Sequence, residues 1–310
     1  MPKSMNRRKF IKTSAVVGVT TMMTGSLVSA TYPNETLPDI AVTKSDNYFK
    51  NTIEAVALLG GIEKFVEKDS RIALLANPQR NNPGAFTNPD VLRAVIRMCK
   101  KAGVKEVTCI SWLREKNWNN TGLKKVVNEE EVELKITDLK DESLFKPIPV
   151  LNGKELKEAR IMQTLYDYDE FITIPITKDH AGNKFTGTLK NMMGLNSPAN
   201  NRAFHKKDWG TNPDSIAFLD QCIADLNTVL KPILCVVDAT EFIITNGPFG
   251  PGVLHKPQKV VAGMDSVAVD AYCSTLWGLN PKDIHMINMA YDQGIGEKDI
   301  KKVKIVEKNI

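Results

Sequence analysis

Apolar residues recur along this chain in two patterns, one typical of buried strands and the other of amphipathic helices. Residues 71–76 form a short run that is apolar after its first position, as in a strand buried on both faces. Apolar positions over 89–102 recur at helical spacing, with Asn88 as N-cap, Pro89 in the first turn and Gly103 after the end. This stretch predicts a strand followed by a helix.

The same alternation of strands and helices continues to the end of the chain. Further predicted strands lie at 104–111, 131–137, 159–164, 171–176, 232–238, 259–263 and 303–306, and further helices at 51–66 (interrupted near Gly60), 186–195, 214–230, 266–277 and 284–291. This order predicts an α/β fold, a mostly parallel sheet flanked by helices. Because no repeat or low-complexity linker interrupts it, we expect a single compact domain over 46–310, preceded by a polar tether over 31–45.

The first thirty residues have the pattern of an export signal. The pair Arg7 and Arg8 is followed by a modestly apolar run over 15–28 and by small residues up to Ala30, where a signal peptidase would cut. Paired arginines indicate the twin-arginine route, which carries folded proteins and makes the twin-arginine translocase a partner. The alternatives are an ordinary Sec signal and a basic amphipathic tail. The expected location is periplasmic, or extracellular in a cell without an outer membrane.

The distribution of charge supports the separation of residues 1–30 from the rest of the chain. The net charge of +5 comes from 41 Lys and Arg against 36 Asp and Glu. Residues 1–30 hold five of the cations and none of the acids, so the remainder is balanced. Balanced charge argues against a nucleic-acid partner or an anionic membrane surface. No later apolar run approaches the roughly 20 residues that a membrane span needs, so none is predicted in the mature chain.

The cysteines give no sign of a metal or iron–sulfur centre. They are Cys99, Cys109, Cys222, Cys235 and Cys273, and none forms a C-x-x-C pair, a zinc-like spacing or a ferredoxin-like cluster. We interpret them as buried structural thiols. A disulfide stays open as an alternative in an oxidising compartment.

The densest group of chemically capable residues lies in segment 174–194. A predicted strand ends near Lys178 and His180, and a short turn leads to a helix that starts near Thr186 and carries Lys190. A helix N-terminus beside lysines suits an anionic ligand such as phosphate, sulfate or carboxylate. The alternative is that the lysines form a solvated face and that His180 is an ordinary loop histidine.

Other candidates lie at strand ends and in one glycine-rich loop. Asn77 follows one predicted buried strand and Asp238 ends another, and ligands bind at the carboxyl ends of strands in such sheets. Gly247 belongs to a Gly/Pro-rich loop that lets the backbone approach a ligand closely. Asp265 is placed to cap a helix, and Asp270 lies on an apolar helix face, where a buried acid needs a partner. Capping and pairing are the alternatives to function for these two acids.

Several of these segments, in this order, resemble the domain of unknown function 362 family, whose members are often labelled uncharacterised iron–sulfur-centre proteins. The similarity is to members exported by the twin-arginine route and spans residues 71–306. Its marks are Asn77-Pro78, the helix at 89–103, the block Pro175, Lys178, His180, Thr186, Lys190, Asn191 and Gly194, and the later segments at 225–227, 238–239, 246–248, 263–265 and 269–270.

This resemblance implies the α/β fold and a site in the 175–194 block, which adds Asn191 to the ligand candidates. The chain departs from the family pattern in two places. Many members have a lysine before the Pro-Asn of the first strand end, where this chain reads Leu75-Ala76-Asn77-Pro78. Some members carry a ferredoxin-like cysteine domain that this chain lacks, so an iron–sulfur cluster is not supported here.

We therefore expect a site at strand ends for a small anionic ligand or a metal ion. Candidate catalytic residues are Lys178, His180, Lys190 and Asp270, candidate ligand-binding residues are Asn77, Thr186, Asn191, Gly247 and Asp265, and the candidate metal ligand is Asp238. The sequence leaves open whether the protein is an enzyme. The main alternative is a non-catalytic periplasmic binding or redox-accessory protein, and the third is a structural protein.

Overall fold

An eight-stranded sheet is the frame of residues 37–310, the part of the chain that this computed structural model describes. The predicted signal at 1–30 and the first residues of the predicted tether lie outside the described residues. The strands are β1 (Ile40–Lys44), β2 (Arg71–Ala76), β3 (Glu106–Ser111), β4 (Glu133–Ile136), β5 (Phe145–Pro149), β6 (Glu158–Met162), β7 (Glu170–Ile174), β8 (Leu234–Ala239), β9 (Phe242–Ile243), β10 (Leu254–His255), β11 (Lys259–Gly263) and β12 (Ile305–Asn309).

The sheet is mostly parallel, as predicted. Its strand order is β12-β1-β11-β8-β7-β2-β3-β4, while β5 with β6 and β9 with β10 form separate two-stranded ladders. Within the main sheet, β11 is antiparallel to both of its neighbours and every other adjacent pair is parallel. All the main strands except β11 therefore point in the same direction. Residues 37–310 form one compact unit, which confirms the predicted fold class.

Helices cover both faces of the sheet. They are α1 (Tyr48–Leu58), α2 (Pro89–Lys101), α3 (Glu115–Asn120), α4 (Leu123–Glu129), α5 (Thr188–Asn191), α6 (Pro198–Phe204), α7 (Pro213–Asn227), α8 (Ser266–Thr275) and α9 (His285–Asp292). Helices α1 to α4 share one core with Ile72 and Leu74 of β2, and α5 to α9 share the other with Ala73 and Leu75. Successive residues of a strand point to opposite faces, so β2 is apolar after Arg71, as expected for a strand that is covered on both faces.

Strong local signals gave accurate boundaries around α2. The Asn88 side chain accepts a hydrogen bond from Asp90 N at 2.9 Å, and Pro89 occupies the first helical position. Gly103 follows the end of the helix with φ +77°, a conformation that other L-residues rarely adopt. The preceding strand, β2, has the predicted bounds.

The predicted tether is wrong over its last residues. Ile40–Lys44 forms β1, which is inserted between β11 and β12 with Ile40, Ala41 and Val42 buried. Its partners lie more than 200 residues later in the chain, so nothing in the neighbouring sequence indicates the pairing. The α/β unit therefore includes this segment instead of starting at residue 46.

Two further elements differ from the prediction. The strand expected at 159–164 is β6, which pairs with β5 outside the main sheet. The helix expected over 186–195 is the single turn of α5 followed by a 3₁₀ turn at Met192–Gly194. The short turn suits a position where the chain lies against the ends of several strands.

The chain reverses its direction across the sheet between β2 and β7. From β2 it continues through α2 to β3 and β4, whereas from β7 it continues through α5 to α7 and reaches β8 on the other side. Connections that leave in opposite directions open a crevice at the carboxyl ends of the two strands, where ligands bind in open α/β sheets. None of the helices described in residues 37–310 is long and apolar enough to cross a membrane.

Candidate functional site

A cavity of about 270 Å³ lies at this crevice, beyond the carboxyl ends of β2, β3 and β7. It is lined by Leu75, Ala76, Asn77, Pro78, Gln79, Ser111, Trp112, Leu113, His180, Thr186, Lys190, Asn191, Met193, Gly194, Asn201, His205, Trp209, Pro248 and Phe249. The list includes Asn77, His180, Thr186, Lys190 and Asn191 from the sequence prediction. The structure therefore brings half of the predicted site residues to one place.

The segment after β7 carries the functional side chains into this cavity. The chain turns back on itself after Lys178, because Lys178 N donates to Thr186 O at 3.2 Å and Thr186 N donates to Lys178 O at 2.8 Å. This turn places His180 on the cavity wall and starts α5 beside it. Lys190 and Asn191 then project into the cavity from the single turn of α5.

Lys190 lines the cavity with its ammonium group tied to a buried polar chain. Its side chain is 9% exposed, and Nζ donates to Asn183 Oδ1 at 3.3 Å. The Asn183 amide in turn donates to Asp220 Oδ1, and both of these residues are buried. Burial lowers the pKa of Lys190 and raises the pKa of Asp220, while the charge of each partner opposes the shift of the other. Asn183 thus holds the Lys190 ammonium group in position, and Asp220 stabilises its positive charge.

Two histidines line the cavity as neutral imidazoles. His180 Nδ1 lies 2.6 Å from Ala181 O, and His205 Nδ1 lies 2.8 Å from Asn201 O. A carbonyl oxygen only accepts, so each Nδ1 carries the hydrogen and each Nε2 keeps its lone pair. Burial and the nearby charge of Lys190 lower both pKa values, that of His205 to about 4.

An aromatic side chain separates the two imidazoles. The Trp209 ring lies 5.2 Å from the His180 ring and 5.0 Å from the His205 ring, measured between centroids. The tryptophan thus packs against both rings and limits their rotation, so each unprotonated Nε2 keeps one direction.

Two polar atoms of the predicted residues have no partner among the described residues. Asn191 Nδ2 donates to Leu75 O at 3.1 Å and to Thr173 Oγ1 at 2.9 Å, which ties the amide to β2 and β7 and leaves its Oδ1 as an unused acceptor. The buried Thr186 hydroxyl also has no partner within residues 37–310. Buried polar atoms are normally paired, so the Thr186 hydroxyl points to a ligand or a water.

The cavity combines positive charge with an apolar wall. Of its described lining residues none is Asp or Glu, so the Lys190 ammonium meets no carboxylate at the cavity surface. Trp112, Trp209 and Phe249 supply large aromatic surfaces. This combination suits a small organic anion with an apolar part, since the charge is stabilised by the cation and the rest of the molecule by burial.

Lys178, predicted as catalytic, lies outside the cavity lining. Its side chain is 0% exposed, and Nζ donates to Ala85 O at 2.6 Å. Burial, with a contribution from Lys190, lowers the pKa of Lys178 to about 7. The side chain ties the strand end to the loop after β2 and does not face a ligand.

Asp270 and Asp265 also lie away from the lining, and both cap helices. Asp270 Oδ1 accepts from Thr188 N at 2.6 Å and Oδ2 from Leu189 N at 2.9 Å, so α8 holds the first turn of α5. Burial raises the pKa of Asp270 to about 7. Asp265 accepts from two N–H groups of its own helix and from Glu297 N at 2.7 Å. These acids satisfy backbone donors that would otherwise be unpaired.

Asp238, Gly247 and their neighbours also have structural contacts in place of a ligand. Asp238 accepts from Asn88 N at 2.7 Å and from Thr240 N at 2.9 Å, and burial raises its pKa to about 6. Gly247 N donates to Asp179 Oδ2 at 2.8 Å, and a Cβ there would overlap the Asp179 carbonyl. Within the described residues, no group of three or more His, Cys, Asp or Glu could hold a metal ion.

The sequence prediction missed residues that the fold adds to the site from elsewhere. They are His205 and Trp209 after α6, Trp112 after β3, and Asn183 and Asp220 behind Lys190. The one signal in the sequence was the spacing of His205 and Trp209 within a polar segment, which by itself is weak. The five cysteines are buried free thiols, as interpreted from the sequence.

The family model described as "Domain of unknown function (DUF362)" matches residues 72–275. The chain belongs to the DUF362 family. The matched region contains the strand ends, α5 and every residue named above as lining the cavity. The resemblance inferred from the sequence is therefore confirmed.

The DUF362 chain also matches solved structures, although weakly. A Thermotoga maritima protein is 14% identical with a TM-score of 0.41, and the match covers 63% of this chain and 51% of that one. The lactate racemase apoprotein from Thermoanaerobacterium thermosaccharolyticum is 14% identical with a TM-score of 0.44, covering 64% and 50%. The match thus spans about half the length of each of these structures. No curated protein matches the chain.

Proposed function

We propose that the cavity at the ends of β2, β3 and β7 binds a small organic anion. We also propose that the protein is an enzyme that performs acid–base chemistry on this anion. The observation that carries this proposal is the composition of the cavity wall. A lysine and two neutral imidazoles line it, and no carboxylate does so among the described residues. The finer assignment of substrate and reaction rests on the roles that these groups can take.

Lys190 is the group that would hold the anion. A hydrogen bond from an ammonium group to a carboxylate or phosphate oxygen is stronger than one between neutral groups, and more so in a buried site. Asn183 and Asp220 keep the lysine in place from behind, so little freedom is lost when the anion binds. Asn191 Oδ1 and the Thr186 hydroxyl would orient the rest of the molecule.

His180 would act as the general base. Its Nδ1–H is held by Ala181 O, which leaves Nε2 unprotonated on the cavity wall. A neutral imidazole can take a proton from a carbon or oxygen atom beside the anionic group and return it later. Because the proton goes to Nε2 and comes back, this step needs no further reactant.

The test of binding is a panel of anions on the wild-type protein and on Lys190→Met. Acetate, benzoate, malonate, phthalate and inorganic phosphate would be measured by thermal shift and calorimetry. We expect at least one organic anion to bind, and Lys190→Met to weaken it tenfold or more, because a charged hydrogen bond contributes about 1.5–3 kcal/mol.

Lys184→Met is the matched control for this test. Lys184 lies in the same segment but is exposed and does not line the cavity, so its substitution should leave the affinity unchanged. Equal affinity of the wild type and Lys190→Met for every bound anion would show that the assignment of Lys190 is wrong.

Proton exchange separates the enzyme from its alternative, a non-catalytic binding protein. Each bound carboxylate that has hydrogens on the carbon beside its carboxylate group, such as malonate, would be incubated in D₂O with and without the protein, and those hydrogens would be followed by NMR. We expect exchange with the wild type and none with His180→Phe, which would still bind the anion. Binding without any exchange by the wild type would favour the binding-protein alternative.

We also propose that the protein is exported by the twin-arginine route, which rests on Arg7, Arg8 and the residues that follow them. The test is cell fractionation of the natural chain and of the Arg7→Lys, Arg8→Lys double variant. We expect the natural chain outside the cytoplasm and the variant retained in it. Export that is insensitive to this double substitution would favour the Sec route.

A further inference from the structure

A second cavity adjoins the first on its outer side. It measures about 570 Å³ and is lined by Trp112, Leu139, Pro198, Asn201, Arg202 and His205. Trp112, Asn201 and His205 line both cavities, so the two adjoin at these residues, and together they are called the cleft. The inner part carries the cation Lys190, and the outer part carries Arg202.

Arg202 is available to a ligand. It lies in the last turn of α6, is exposed, and makes no ion pair or hydrogen bond with any residue in 37–310. Arg71, Arg93, Arg97 and Arg160 each pair with a carboxylate, whereas within the same residues Arg80, Arg114 and Arg202 do not, and of these three Arg202 alone lines the second cavity. The described lining of the second cavity contains no acid either. A guanidinium group without a partner binds a carboxylate or phosphate through two parallel hydrogen bonds.

The residues that line both cavities, between Lys190 and Arg202, are held in place by hydrogen bonds. The Asn201 side-chain amide donates from Nδ2 to Met193 O at 2.8 Å and accepts at Oδ1 from Asn196 Nδ2 at 2.8 Å. The backbone carbonyl oxygen of Asn201 accepts from His205 Nδ1–H. Asn201 is buried, and the His205 ring packs against Trp209. These fixed residues hold Lys190 and the backbone of α6 at a constant separation, so the ligand length is limited to what the Arg202 side chain can reach.

We propose that this cleft takes an organic dianion, with one anionic group at Lys190, the other at Arg202 and an uncharged segment along His205 and Trp112. This inference rests on the proposed function, because Lys190 is the inner anchor in both. It adds the substrate class, a molecule with anionic groups at its two ends, and it assigns Arg202 as the residue that selects for the second charge.

The experiment compares straight-chain dicarboxylates from malonate to suberate with monocarboxylates of the same chain length, by calorimetry at constant ionic strength. We expect one chain length at which the dianion binds at least tenfold more tightly than its monoanion. Arg202→Ala should reduce this ratio to about twofold or less while leaving the affinity for the monoanion unchanged.

Lys207→Ala is the control, because it removes a nearby exposed cation that lines neither cavity, and it should keep the wild-type ratio. Denaturant unfolding of Arg202→Ala checks that the fold is retained. If no chain length favours the dianion, or if Arg202→Ala weakens mono- and dianions equally, the proposal is wrong. A monoanion affinity that is insensitive to Lys190→Met would instead contradict the proposed function, so the two failures are distinguishable.

Discussion

Acidic and basic side chains occupy two regions near the strand ends, and the two regions use them differently. Around β8 and α8, the carboxylates of Asp238, Asp265 and Asp270 accept hydrogen bonds from backbone N–H groups on both of their oxygens. Around α5, Lys190 and His180 keep atoms directed at a cavity. The first region holds the chain in position, and the second, around α5, is the cavity-facing region.

The comparison teaches that burial of a charged side chain at a strand end does not by itself indicate function. What separates the two regions is whether the polar atoms are already used by the backbone. Asp270 connects them, because it holds the first turn of α5, on which Lys190 lies. The structural region around β8 and α8 therefore positions the cavity-facing region around α5.

The largest expected effect belongs to Asp270→Ala, which tests the structural role directly. The substitution leaves Thr188 N and Leu189 N without acceptors, and each buried unpaired donor costs about 1–3 kcal/mol. We expect the free energy of unfolding to fall by about 2–5 kcal/mol, measured with urea. Lys190→Met should change it far less. Equal losses in the two variants would erase the distinction between the regions.

Lys178→Met tests whether this lysine belongs to the structural region or to the cavity-facing region. Its pKa, about 7 when folded, lies below that of the unfolded chain, about 10.4. Between these values the unfolded state binds more protons, so this group makes wild-type stability rise with pH by about 1.4 kcal/mol per unit. Relative to Lys178→Met, the wild type should therefore gain stability from pH 7 to 10 in urea titrations.

A pH-independent difference between these two proteins would mean that Lys178 stays protonated, with its ammonium accessible to solvent or to a ligand. That result would assign Lys178 to the cavity-facing region. Met is a suitable substitution because it keeps most of the length of the side chain and removes its charge.

Asp220→Asn should have the smallest effect of the three substitutions. It tests whether Asp220 sets the pKa of Lys190. The Asp220 carboxylate favours the charged form of Lys190, whereas burial disfavours it. Removing the carboxylate therefore lowers the pKa of Lys190. Anion binding, which needs the ammonium group, should be lost at a pH about one unit lower than in the wild type.

Calorimetry of the bound carboxylate between pH 6 and 10 measures this midpoint. Asp214→Asn is the control, since Asp214 is an exposed acid in the first turn of the same helix. An unchanged midpoint in Asp220→Asn would show that the Asn183-linked chain does not affect the cavity cation.

The sequence allowed most of the fold to be predicted where the deciding interactions are local. Asn88, Pro89 and Gly103 mark the ends of α2 within a few residues, and the apolar run of β2 shows burial on both faces. The position of β1 could not be predicted, because its neighbours in the sheet come from the far end of the chain. The single reversal at β11 likewise depends on pairing and not on composition.

The site was predictable only in part, for a related reason. Segment 174–194 is dense enough in Lys, His and Asn to be recognised, and His180, Thr186, Lys190 and Asn191 do line the cavity. The sequence could not show which of the acids and lysines are used by backbone groups, since those partners lie on other elements. His205 and Asp220 join the site through the packing of α6 and α7, which local patterns do not reveal.

The insertion of β1 between β11 and β12 has a consequence for the order in which this chain folds. Bringing β1 to β11 closes a loop of more than two hundred residues, which costs about 5 kcal/mol of chain entropy before any ladder bond is made. The intervening strands, which pair over shorter separations, reduce that cost by forming first. Until β1 arrives, β11 has an unpaired edge that could pair with another molecule. The segment that was predicted as a tether therefore covers the edge of β11 and provides the edge on which β12 pairs.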